Sequence, residues 1–145
     1  MAHKNVTVYT ELGTGTKIEC KAGNHSFVID QPASGGGQDL GPTPLEYYLA
    51  SLAGCISSIA HLVARQKKID LKGMKITTVG DINTDVLLGK NTEERSGFQS
   101  ITLQISIDAA LSDSQKVEFI NEVERRCPVS ENTINASNVI VTVTA

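Results

Sequence analysis

The stretch from Thr43 to Lys67 constrains this chain more than any other part of it. Thr43 is a good N-cap, Pro44 suits the first helical position because an N–H there would have no intrahelical partner, and Glu46 three residues past the cap completes a capping box. A helix is expected to start there. Its larger apolar residues, Tyr48, Leu52, Cys55, Ile56, Ile59 and Leu62 or Val63, recur at three or four and make one stripe for a core. Ala50, Ser51, Ala53, Gly54, Ser57, Ser58 and Ala60 leave much of the remaining surface small, and small residues let another backbone come close. The expectation is a helix sandwiched between a sheet and a second helix, which a second subunit could supply.

The flanking segments read as strands. Asn5 to Glu11, Thr16 to Lys21 and His25 to Ile29 alternate and are broken by Gly13, Gly15 and Gly23-Asn24, predicting a three-stranded meander. Gln31 to Pro42, with Gly35-Gly36-Gly37, reads as a flexible connection; no Lys-Ser/Thr follows the glycines, so it is not a phosphate loop. Met74 to Ile82 and Phe98 to Ile107 predict a hairpin with a long charged tip carrying Lys90, Glu93, Glu94 and Arg95. Ser112, with Gln115 three residues on, caps a second helix that stops near Arg126, and Asn138 to Thr144 alternates as a final strand. The predicted order is β-β-β-α-β-β-α-β, an α+β fold.

Composition excludes several classes of function. At 145 residues and 40% hydrophobic the chain suits one domain, and a net charge of -3 with interspersed signs offers no basic stripe for nucleic acid. The N-terminus has no signal-peptide pattern, and the long helix is interrupted by Ser and His, so a soluble cytoplasmic protein without a membrane partner is expected. Three cysteines and no Cys-x-x-Cys make neither a disulfide framework nor a zinc site, and His3, His25 and His61 are unclustered.

The thiols remain as candidates for chemistry. Pro128 reads as the first residue of a short helix, which places Cys127 at its N-cap with Arg125 and Arg126 directly before it. That setting favours a thiolate, although a buried Cys ending a helix fits the same spacing. Cys55 on an apolar stripe reads by itself as a small core residue, and Cys20 between Glu19 and Lys21 has no partner at a telling spacing.

Three motifs occur together: Gly41-Pro42-Thr43-Pro44-Leu45-Glu46-Tyr47-Tyr48-Leu49-Ala50-Ser51-Leu52-Ala53-Gly54-Cys55, Gly97-Phe98-Gln99-Ser100-Ile101 and Arg126-Cys127-Pro128-Val129-Ser130. In these the chain resembles the OsmC/Ohr-like family of osmotically induced and organic hydroperoxide resistance proteins. The resemblance implies an intertwined homodimer with the central long helices packed between sheets. It also implies thiol peroxidase chemistry without metal or organic cofactor. Cys55 would become a sulfenic acid on an organic hydroperoxide, Cys127 would condense with it, and an external dithiol, in this family a lipoylated protein, would reduce the disulfide.

Active members carry an acidic residue directly after the proline matching Pro44 and an arginine upstream of it. Here Leu45 holds the first position, Glu46 follows it, and residues 29–42 contain no arginine. Glu46, Arg95 and Arg126 are therefore the candidate replacements, with Lys17, Lys21 and Arg125 as further cations. On one straight helix Glu46 and Cys55 would lie about 13 Å apart on opposite faces, so Glu46 would have to act from a partner chain or across a bend. The alternative on the same scaffold is a slow redox sensor, or a binder of a small apolar ligand in an interface pocket with residues such as Tyr47, Tyr48 and Phe98.

Overall fold

Alternation along the first thirty residues does produce strands. In the computed structural model, which describes residues 1–144, β1 (Tyr9–Leu12), β2 (Ile18–Ala22) and β3 (His25–Ile29) form an antiparallel sheet in that order. The first strand begins later than the alternation from Asn5 predicts, and Val6 stays 82% exposed. Thr10 and Phe27 flank Cys20 from either side, and Cys20 is buried.

The chain divides into two compact units, Met1–Tyr48 and the part from Leu49 onward. In the first, the segment expected to be a flexible connection is fastened instead. Asp30 is 1% exposed, and its carboxylate accepts from Thr16 Oγ1 at 2.6 Å and from the main-chain N–H groups of Gln31, Gln38 and Leu40. A buried carboxylate needs such donors, and the loop winds around Asp30 to supply them. Glycine permits the close turns: a Cβ on Gly41 would lie 2.2 Å from the Val28 carbonyl oxygen. Tyr47 closes the unit, its hydroxyl donating to the Val28 carbonyl and its ring tilted against Phe27.

The second unit begins within α1 (Pro44–Lys67), which starts and ends where its sequence predicts. Two nine-residue strands, β4 (Gly73–Asp81) and β5 (Ser100–Asp108), pair antiparallel with Thr78 opposite Leu103. Their alternation sorts Met74, Ile76, Ile101, Leu103, Ile105 and Ile107 onto the face that packs against the helices. Against it α1 buries Leu52, Ile56, Ala60, Val63 and Ala64, and α3 (Asp113–Arg126) buries Phe119 and Val123. Ile56, Val63 and Val123 are wholly excluded from water, each such burial stabilising by about 1.5–3 kcal/mol. The Ser112–Gln115 capping box starts α3 as predicted.

The hairpin tip between β4 and β5 holds a short helix that the charge pattern concealed, α2 (Thr84–Leu87), capped by Asn83. A last helix, α4 (Pro128–Ile134), follows α3 after one residue. The predicted final strand is corrected. Residues 136–144 have no regular structure, and Val139 and Val143 are 80% and 93% exposed. Alternation makes a segment fit for a strand, but a strand exists only where another pairs with it, and among the described residues none does. Length and hydropathy of α1 would also satisfy a membrane span, contrary to the expectation from its Ser and His; its apolar stripe is instead taken up by the core of the second unit. The architecture of the described residues is α+β, with two small antiparallel sheets and four α-helices.

Candidate active site

Proline sets the geometry around Cys127. The residue before a proline is driven out of the helical region, so α3 ends at Arg126 and Cys127 is extended (φ -84°, ψ 111°) between two helices. Cys127 serves both. Its N–H closes the end of α3 on the Glu124 carbonyl at 3.2 Å, and its Sγ accepts the N–H of Ser130, 3.4 Å away, in the first turn of α4. The N-cap position read from the sequence is therefore occupied, at a site only 1% exposed.

Cys55 arrives from α1. It sits half-buried beside the helix's core stripe and packs against the same apolar cluster that contains Cys127. The two thiols are close enough to act on each other, and neither is in a disulfide. Burial first, and then the neighbouring Cys55 thiol, push the Cys127 thiol above its ordinary value of 9.0, against the pull of the Ser130 and Val129 N–H groups. Cys127 is thus held as a thiol at neutral pH. Among the described residues no cation contributes to this balance.

The remaining candidates have partners of their own or none. Glu46 completes the capping box of α1, accepting from Thr43 N at 2.7 Å and Thr43 Oγ1 at 2.9 Å, and these bonds lower its carboxyl, the main-chain bond most. Arg126 turns away from its neighbour Cys127, donating from Nη1 to Gln66 Oε1 at 2.8 Å with Glu122 at 3.6 Å. Arg125 pairs with Glu122, and Lys17 with Glu19. Arg95 lies over Gly97 in the hairpin tip and makes no ion pair among the described residues. The chain by itself therefore brings together Cys55 and Cys127, while Glu46 is engaged by Thr43, Arg95 lies over Gly97 and Arg126 is engaged by Gln66.

Two clefts are present, and neither is lined by Cys55 or Cys127. One, of about 340 Å³, runs along the first sheet beside Cys20 and Phe27, and one of about 490 Å³ lies between β5 and α3 beside Ile105 and Ile120. Among the described residues no group of His, Cys, Asp and Glu could hold a metal. Sequence reading missed two residues. Ser130 was signalled by its place three residues after the N-cap Cys127, whereas nothing marked Asp30 before the loop was seen to close on it.

Fold and site together define an α+β dithiol protein, with one reduced cysteine on α1 and another at the junction of α3 and α4 close to each other. The model of the family described as OsmC-like protein matches residues 35–144, and the chain belongs to that family. A hydroperoxide reductase from Mycoplasma pneumoniae is 31% identical over 91 residues, which cover 63% of this chain and 60% of that protein. Among solved structures, an OsmC-like protein from Mycoplasma pneumoniae superposes with a TM-score of 0.81 at 23% identity, covering 93% of this chain and 91% of the other. An organic hydroperoxide resistance protein from Elizabethkingia anophelis gives a TM-score of 0.70 at 20% identity, over 93% and 91%.

Proposed function

We propose that this protein is a thiol-dependent peroxidase that reduces organic hydroperoxides through Cys55 and Cys127. The observation that supports the reading is that Cys55 packs against the buried cluster that contains Cys127, close enough to shift its thiol. Cys55 is the more exposed sulfur and the one proposed to meet substrate. As thiolate it attacks the distal oxygen of ROOH; the S–O bond forms, the O–O bond breaks, and the departing alkoxide takes up a proton to give ROH. Cys127 then attacks the sulfur of the Cys55 sulfenic acid, the S–S bond forms, and the released hydroxide leaves as water with the Cys127 proton. An external dithiol, a lipoylated protein by family resemblance, returns both thiols. The cycle needs no metal or organic cofactor, and it suits the reducing cytoplasm expected from the cysteine usage.

We infer a homodimer as the working form. Tyr48, Ser51, Gly54, Ser58 and Leu62 form an exposed row along α1, and space beside Gly54 is open in the single chain. A second copy there would cover this row, and a partner's Arg95 or Glu46 could then face Cys55 and complete the site. Peroxide titration followed by thiol counting tests the activity: consumption of two thiols in the wild type and none in Cys55→Ser supports it, and unchanged wild-type thiols reject it.

The second reading is a slow redox sensor or a binder of a small apolar ligand. The lack of a cation beside Cys127 among the described residues favours it. A Cys55 thiol that titrates like free cysteine in the intact dimer would select it over the peroxidase.

A further inference from the structure

Arg126 stands directly before Cys127 in the chain, yet its charge does not act on that sulfur: among the described residues, those that shift the Cys127 thiol are Cys55, Ser130 and Val129, besides burial. The guanidinium crosses instead to α1. Its Nη1 donates to Oε1 of Gln66, 60 residues away in the chain, at 2.8 Å, and the Glu122 carboxylate of its own helix lies 3.6 Å from the same nitrogen.

The place of Gln66 on α1 gives this bond its consequence. Gln66 follows Cys55 by eleven residues of one continuous helix. At about 1.5 Å and 100° per residue that is three turns and roughly 20° more, so the two side chains share one face about 16 Å apart along the axis. Two consecutive residues at the α3–α4 junction therefore meet that face at two points, Arg126 at Gln66 and Cys127 near Cys55. Cys127 is also the extended residue at the break between the two helices, where the junction is free to bend. One attachment would let it swing; two fix its rotation against α1.

We propose that Arg126 is a positioning residue for the dithiol, its bond to Gln66 strapping the α3–α4 junction to α1 so that the Cys127 sulfur stays within bonding reach of the Cys55 sulfur. The inference rests on the pairing of the two thiols in the reading above, and it gives Arg126 no contact with substrate. A disulfide accepts only a narrow range of separation and torsion. The strap removes, in the reduced protein, motion that disulfide formation would otherwise have to remove, and so raises the effective concentration of one sulfur at the other. Arginine suits the place because its planar, always charged fork can face Gln66 and Glu122 together.

The test is the equilibrium of the full-length protein, oxidised with diamide, against dithiothreitol at neutral pH. In this exchange the protein S–S bond breaks as the two dithiothreitol sulfurs join in a ring, and two electrons and two protons pass to Cys55 and Cys127. Arg126→Met keeps an unbranched side chain and loses the donors, and Gln66→Leu keeps the bulk and loses the acceptor. Each should make the disulfide about fivefold easier to reduce, the worth of one exposed hydrogen bond. The double variant should show the same shift as either single one, because they share one bond. Gln66→Glu keeps the acceptor and should hold the disulfide at least as firmly as wild type. Unchanged equilibria in both single variants, losses that multiply in the double variant, or a loss in Gln66→Glu equal to that in Gln66→Leu would overturn the strap. So would a wild type in which diamide makes no Cys55–Cys127 disulfide. A protein that shows the expected shifts but is inert to cumene hydroperoxide would overturn the peroxidase reading alone, which distinguishes the two failures.

Discussion

Cys55, in the middle of α1, packs against the buried cluster that holds Cys127 at the junction of α3 and α4, and its thiol is near enough to raise that of Cys127. Their environments differ. Cys127 is 1% exposed and held protonated, whereas Cys55 is half-buried. Cys127→Ser should therefore allow one round of attack on a hydroperoxide and then stop, with a sulfenic acid trapped on Cys55. Cys55→Ser should consume none. Mass spectrometry of dimedone adducts in the two variants checks this, and an adduct on Cys127 in place of Cys55 would reverse the assignment.

The raised Cys127 thiol has a consequence for stability. An unfolded chain releases this proton near the ordinary value of 9.0, and the folded protein only at higher pH. Above pH 9.0 the folded state therefore binds more protons, so this group's contribution is intact below that pH and declines as pH rises past it. The difference between the urea midpoints of wild type and Cys127→Ser should be constant below pH 9.0 and change only on the alkaline side.

Asp30 acts at the other end of the scale. The Thr16 hydroxyl, with help from the Gln31, Leu40 and Gln38 N–H groups, lowers its carboxyl from 3.8 to about 2. Stability from this group is complete above pH 3.8 and is lost as pH falls through about 2, because the unfolded chain takes up the proton first. Thr16→Val should shift acid unfolding to higher pH without changing the shape of the transition at neutral pH. An unchanged acid midpoint would show that the Thr16 bond does not hold the loop.

Packing around α1 separates a core face from an open one. Ile56 is fully excluded from water, and Ile56→Ala should cost about 2–5 kcal/mol in chemical denaturation. Gly54 has nothing within 4 Å of the position a Cβ would take. Gly54→Leu should thus leave the single chain folded but block a second copy from covering the helix. Light scattering should report a dimer for wild type and a monomer for Gly54→Leu; an undisturbed dimer would place the interface elsewhere.

Much of this fold is legible because local chemistry fixes it. Thr43-Pro44-x-Glu46 and Ser112 with Gln115 start their helices at the residues read from the sequence, and Pro128 ends α3 and makes Cys127 a cap, all within one turn of chain. What depends on distant partners was not legible. The loop after β3 reads as flexible from its glycines, and only the folded chain reveals that Asp30 gathers it. Val139 to Val143 alternate as a strand should, but pairing needs an edge that this chain does not bring to them. The site divides in the same way. Family motifs mark the two thiols and the fold brings them together, while Glu46 and Arg126 are engaged by Thr43 and by Gln66.

Peptide mapping after a single equivalent of tert-butyl hydroperoxide is the most direct test of the account. Digestion without reductant should yield one cross-linked pair joining the Cys55 and Cys127 peptides, with Cys20 still free. Recovery of both peptides unlinked, or a link through Cys20, would contradict it.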